Sequence, residues 1–247
     1  DFGLYGLVGG LTVFIGFFNM LLSVATSRFY AFSVGQAAKS AANGDKDAGL
    51  EECRKWFSTA VMLHTIVPCV LIIVGYPLGI YAIENWLTIP PDRLGASVWV
   101  FRFVCISCFV GMINVPFNAM YTAKQYIAEL TIYSFVTTTL NVFFLYYMIT
   151  HPGDWLAHMA FWTCLLSVIP QIIIAIRAVF IFPECRFRFS YCRDVNRLKE
   201  IACYAWWRAF GSLGFLFRSQ GIAILINKFL GPRLNASLAI ATNVDSK

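Results

Sequence analysis

Long uncharged runs alternate with short polar stretches along this chain. Residues 2–27, 56–83, 130–150 and 155–176 carry no charge, residues 94–123 carry only Arg102, and residues 201–227 carry only Arg208 and Arg218. A helix crosses the hydrocarbon core of a bilayer with about 20 predominantly apolar residues. The pattern therefore predicts an all-α polytopic bundle of six complete spans, with Asn235 onward opening a seventh. The stretches between, such as KSAANGDKDAGLEECRK, ENWLTIPPDRLG, AKQYIAE and THPGDW, read as connecting loops punctuated by Pro, Gly, Asn and Asp. Gly6, Gly9, Gly10, Gly16, Pro68, Pro77, Pro116 and Pro170 fall inside spans. Lipid tolerates them where neighbouring helices satisfy the freed backbone groups, so they imply bent, closely packed helices.

Composition points to the same solvent. The chain is 59% hydrophobic and 13% charged, with a mean hydropathy of +0.67, whereas soluble domains are about 25% charged. The 17% aromatic content suits Trp and Tyr at membrane interfaces. The net charge of +6 never gathers into a soluble basic face, which argues against nucleic acid as a partner.

Placement of the cations sets an orientation. Alternate loops form two sets: twelve Lys and Arg residues, running from Arg28 to Lys199, fall in one, and only Arg93, Lys228 and Arg233 fall in the other. The positive-inside rule puts the first set in the cytoplasm. The chain then divides into spans over residues 1–183, a basic cytoplasmic loop over 184–200 with a short interfacial helix, and a further span with the start of another over 201–247. The opening DFGLYGLVGG lacks Met and the basic n-region of a signal peptide. The end, ATNVDSK, stops in the first turns of an apolar segment, so the chain reads as a fragment of a longer protein.

Candidate chemistry lies in the charged exceptions. A charge at the bilayer centre costs from about 2.5 to well over 10 kcal/mol, depending on snorkelling and water. Arg218 is deep in its span, so its helix must turn it to a partner or a wet cavity, while Arg102 and Arg208 lie nearer span ends and Arg28 closes the first span. No Asp or Glu occurs inside the spans. Guanidinium groups without carboxylates suit an anion such as a phosphate or diphosphate, which they pair bidentately; acidic partners from another part of the protein are the alternative. Asn19, Asn114, Asn118, Gln171, Gln220 and Asn227 also lie within spans. Interhelical hydrogen bonding, worth roughly 0.6–2 kcal/mol each, is their ordinary role, with sugar binding a second one.

Enzyme chemistry and cofactors find little support. His64 and His158 are isolated in apolar runs, His151 is in a loop, and no Gly-rich phosphate motif is present. Most of the eight cysteines sit in apolar runs as small hydrophobes, and CISC at 105–108 has no second ligand pair for a metal.

The segments DFGLYGLVGG, ATSRFYAFSVG, VPFNAMYTAKQY and QGIAILINKFLGPRLNASLAIATNV resemble polysaccharide flippases of the multidrug/oligosaccharidyl-lipid/polysaccharide exporter superfamily, nearest in look to O-antigen or capsule repeat-unit flippases of Bacteroides-like bacteria. The resemblance implies twelve to fourteen helices in two six-helix lobes, with the spans here serving as helices two to seven and the start of eight. FGLYGLV at 2–8 and NASLAIA at 235–241, with small residues three apart, are similar to a repeated second and eighth helix. It further implies a bacterial inner-membrane transporter for lipopolysaccharide or capsule synthesis. Such a protein moves undecaprenyl-diphosphate-linked oligosaccharide to the outer leaflet, without a cofactor and beside other polysaccharide-assembly membrane proteins. By resemblance Arg218 and Arg28 contact the diphosphate; Arg102 and Arg208 join them on the expectation of burial alone, and Gln220 and Asn227 share a helix face toward the substrate.

Two rival functions stand beside this one. A drug/cation antiporter of the same fold needs a membrane-buried carboxylate, and the spans hold none. A membrane-bound polysaccharide polymerase or ligase needs a catalytic His or acid at a wet face and large outer loops, which are short here.

Overall fold

The computed structural model describes residues 12–87, 89–151 and 156–230, with the side chains of residues 13, 14, 86, 193, 213 and 215–230 outside the description. All regular structure among the described residues is helical. The helices are α1 (Val13–Ala42), α2 (Lys46–Tyr81), α3 (Leu94–Ala123), α4 (Ile127–Thr150), α5 (Leu156–Ile181) and α6 (Val195–Leu230). A π turn at Ala82–Trp86 ends α2, and short 3-10 turns occupy Pro91–Arg93, Pro183–Cys185 and Phe189–Arg193. Four helical stretches are long and apolar enough to cross a membrane: Lys46–Asn85, Pro91–Ala123, Ile127–Thr150 and Leu156–Ile181. They coincide with four of the expected spans. The echo between residues 2–8 and 235–241 lies outside the described residues, as does much of the expected first span.

The helices outrun the apolar runs at one end. The stretch 39–55, expected as a loop, is mostly helix: α1 continues to Ala42, and α2 starts at Lys46. The connection closes with Gly44 at φ +94°, Asp45 N–H bonding Ser40 O at 2.9 Å and Gly44 N–H bonding Ala41 O at 3.2 Å. That is a Schellman closure, and glycine is the residue that adopts its left-handed position without strain. Asp45 then caps α2 by accepting from Ala48 N–H at 3.2 Å. A matching closure ends α3, where Tyr126 N–H bonds Tyr121 O at 2.8 Å around Gln125 at φ +62°.

The chain divides into two compact units, Asp1–Ala202 and Cys203–Lys247. In the first, α1, α2 and α3 pack against one another, α5 packs along α3, and α4 lies at the edge against α5. No residue of α4 is buried. Ile149 is 83% exposed and Phe180 on α5 is 82% exposed. Apolar side chains presented this broadly are at home in acyl chains and would be an aggregation hazard in water.

Each end of this unit has its own core. At one end Ile83, Val100, Phe101, Cys105, Leu156 and Ala160 form a buried cluster. Gly79 faces Phe101 there so closely that a Cβ would clash with the ring. At the other end Phe182 is packed edge-on between Tyr121 and Tyr126, with ring centroids 5.1 and 5.3 Å away. The segment 182–194 folds as two 3-10 turns against the base of α2, where an interfacial helix was expected; helix resumes only at Val195, capped by Asp194. Arg54 Nε donates to Pro183 O at 3.0 Å, Arg188 N–H donates to Ser58 Oγ at 3.1 Å, and Arg197 donates to both oxygens of Glu52 at 2.8 and 2.9 Å. The cations that sequence assigned to one side are thus gathered at one end of the bundle, here called the basic end.

Candidate functional site

A polar groove opens where α4 meets α5. Its α4 wall is a stripe of Tyr133, Ser134, Thr137 and Thr138, spaced i, i+1, i+4, i+5 so that all four share one helix face. Ser167 and Gln171, one turn apart, line it from α5, and Asn118 lines it from α3. The volume of the groove is about 490 Å³. Measured along α4 from Ile127, the polar stripe lies about 9 to 17 Å inward at 1.5 Å per residue, reaching the middle of a bilayer core.

The lining sets hydroxyl and amide acceptors among Leu130, Leu166, Pro170 and Ile174. Thr137 donates its hydroxyl to Tyr133 O at 2.8 Å, and Ser167 donates to Cys164 O at 2.9 Å or Ser107 Oγ at 3.2 Å. With those protons directed at the protein, the hydroxyl lone pairs remain for a guest. The Gln171 Oε1 is buried without a hydrogen-bond partner. An unpaired buried carbonyl costs about 1–3 kcal/mol, so a donor brought to it by a ligand or water is favoured.

Behind Ser167 lies a second, smaller space of about 200 Å³ between α1, α3 and α5, reached past Gly16 and Gly111 and bordered by Asn19 and Ser107. Asn19 Oδ1 there is also without a partner. Ser167 lines both spaces. Asn114, on the same helix as Gly111, is buried with both amide atoms unpartnered. Of the amides singled out in the sequence, Asn118 and Gln171 share the larger groove and Asn19 borders the smaller.

An ion pair lies just beyond the groove toward the basic end, linked to it through Tyr133. Glu129, in the first turn of α4, pairs with Arg177 near the end of α5. The same Glu129 Oε1 accepts from Tyr133 OH and from Tyr121 OH, each at 3.4 Å. Tyr133 therefore belongs to both the groove and the ion-pair cluster.

The arginines expected at the site are dispersed. Arg28 is exposed on α1, beside Phe29, whose ring stacks on Trp56 at 4.7 Å. Arg102 is exposed on α3, donates to Tyr76 OH at 3.0 Å and lies over the Trp99 ring at 4.9 Å. Trp56 and Tyr76 are twenty positions apart on α2, or about 30 Å. One diphosphate does not touch both Arg28 and Arg102 in this arrangement. Arg102 borders an apolar recess with Ile72, Ile73 and Phe109 rather than a polar one. Arg208 is exposed in the second unit. Arg218, Gln220 and Asn227 lie on α6, and their side chains are outside the described residues.

Sequence reading missed the α4 stripe and Arg177. The signal was present: Tyr133, Ser134, Thr137 and Thr138 fall at helical spacing in an uncharged span, followed on α5 by Ser167 and Gln171 at i, i+4. His64 belongs elsewhere; it is buried, with Nδ1 bonded to Ala60 O at 2.9 Å in its own helix. Comparison of the chain with protein-family models, curated proteins and solved structures gives no match.

Proposed function

We propose that this chain is part of a flippase that carries the headgroup of a lipid-linked oligosaccharide across a bacterial inner membrane, the lipid being an undecaprenyl-diphosphate carrier. The observation that carries this reading is the groove between α3, α4 and α5. Hydroxyl and amide oxygens line a space of about 490 Å³ inside helices long enough to cross a membrane. A sugar is a dense array of hydroxyl donors, and hydroxyl and amide acceptors at mid-bilayer depth offer them partners where lipid offers none. The space is a surface groove and not a sealed cavity, so a polyprenyl tail can stay in acyl chains while the headgroup moves. The resemblance of the quoted segments to polysaccharide flippases supports the same reading, with Arg218 and Arg28 as diphosphate contacts. Sidedness follows the positive-inside rule, with the basic end in the cytoplasm.

The test is gene replacement. Wild type restores surface polysaccharide. Gln171→Leu with Thr137→Val, and separately Arg218→Ala, lower it by about tenfold or more, the size expected for losing one or two buried polar contacts. Lipid-linked repeat units then collect on the inner leaflet. Wild-type surface polysaccharide at normal expression from both variants overturns the reading.

A further inference from the structure

The ion pair beside the α4–α5 groove joins one carboxylate to one guanidinium, and the two are not equally held. Glu129 has only 19% of its side chain exposed and takes bonds from three directions: Tyr121 on α3, Tyr133 on α4 and Arg177 on α5. Arg177 has 53% of its side chain exposed and engages the carboxylate through Nε. Its terminal nitrogens make no recorded bond among the described residues. Along α5, Gln171 and Ile174 line the groove, and Arg177 follows one turn beyond Ile174, next to Glu129, which bonds the groove residue Tyr133.

We propose that Arg177 is a binding residue for a phosphoryl oxyanion beside this groove, and that Glu129 is its built-in substitute, occupying the guanidinium until a phosphorylated ligand displaces it. The assignment rests on the reading of the groove as a headgroup site: a ligand whose hydroxyls lie among Ser134, Thr137 and Gln171 presents its phosphoryl end to Arg177. A guanidinium fork matches phosphoryl oxygens bidentately, which a single Nε contact to Glu129 does not. Tyr121 and Tyr133 keep Glu129 hydrogen-bonded when the arginine leaves it, so the exchange strands no bare carboxylate. The phosphoryl group could be borne by a lipid or be free in solution, and the two have the same chemistry at Arg177.

The experiment uses purified protein in neutral maltoside micelles, with protection against thermal unfolding as the readout. Dodecyl phosphate is the lipid-borne probe and inorganic pyrophosphate the soluble one. Relative to wild type, Arg177→Gln raises the half-saturating dodecyl phosphate fraction about tenfold or more, and Glu129→Gln lowers it about threefold or more, because one removes the receptor and the other its competitor. Arg177→Lys falls between wild type and Arg177→Gln, which guards against a folding defect. A response to dodecyl phosphate alone makes the ligand lipid-borne; an equal response to pyrophosphate makes it a soluble phosphate. Shifts in the same direction for Arg177→Gln and Glu129→Gln, or no shift in either, overturn the proposal, since a merely structural pair loses the same stability from either side. Binding is read without translocation. Loss of the flippase reading in the gene-replacement test therefore leaves these shifts intact, and loss of the shifts leaves that test standing.

Discussion

Lys124 and Glu184 meet at 2.6 Å across sixty residues, tying the end of α3 to the turn that follows α5. Glu184 is buried, and its second oxygen has no partner. The pair holds the basic end shut, together with Phe182 between its two tyrosines. Removing one member strands the other: Lys124→Met should cost about 3 kcal/mol, while Lys124→Met with Glu184→Leu should recover most of that. Denaturant unfolding in micelles measures both, and equal destabilisation by single and double variants would contradict the pairing.

The α1–α2 crossing sets a second expectation. A Cβ on Gly49 would lie 2.8 Å from Ala37 Cα, a backbone atom that cannot swing aside. Gly49→Ala should therefore cost about 1–3 kcal/mol as an overpacked contact. Gly44→Ala has open space but a left-handed backbone, so it should cost only about 1–2 kcal/mol. Gln125→Gly, at the matching left-handed position after α3, should leave stability unchanged or raise it. Thermal midpoints of the three variants rank them.

Burial pushes the Cys185 thiol well above the ordinary value of 9.0, with the neighbouring Glu184 carboxylate adding to the shift and Lys124 opposing it. Cys192 is shifted the same way by burial. A thiol held neutral in the fold contributes stability that is fully present below pH 9 and is lost as pH rises, because the unfolded chain ionises first. Stability should fall by up to about 1.4 kcal/mol per pH unit per thiol above pH 9. Cys185→Ala should flatten part of that slope. Alkylation of Cys185 at pH 8 should likewise lag behind that of a free thiol.

Much of the fold was legible because lipid imposes simple rules. The span 94–123 matched α3 to the residue, since Pro91, Asp92 and Arg93 punctuate one end and Lys124 and Gln125 the other. The α1–α2 connection was misjudged because a charge marks where hydrocarbon ends and not where helix ends. Lys39, Glu51 and Lys55 are compatible with helix, and Lys55 pairs with Glu51 at 3.1 Å within one turn. The groove was illegible for a different reason. Ser and Thr in a helix can satisfy their hydroxyls on the carbonyl one turn back, as Thr137 does. Only the packing of α4 on α5 shows that their lone pairs face a shared space. Arg177 was read as one more cytoplasmic cation, because pairing with Glu129, 48 residues away, is tertiary information.

Sidedness is accessible to labelling. Single cysteines replacing Lys46 and Phe189 at the basic end should be shielded from an impermeant maleimide in intact cells and react on permeabilisation. A cysteine at Asp92, at the opposite end, should react at once. The reverse pattern would invert the orientation and place Arg177 outside.

Ser134 and Phe135 are neighbours on α4 whose side chains leave the helix about 100° apart: Ser134 lines the groove, and Phe135 is 72% exposed and does not line it. A photo-crosslinking p-benzoylphenylalanine at each, irradiated in cells making the polysaccharide, reads the groove's occupant directly. Glycan-bearing lipid adducts should form at position 134 and only phospholipid adducts at position 135. Glycan adducts at 135 equal to those at 134, or none at 134, would contradict a headgroup path between α4 and α5.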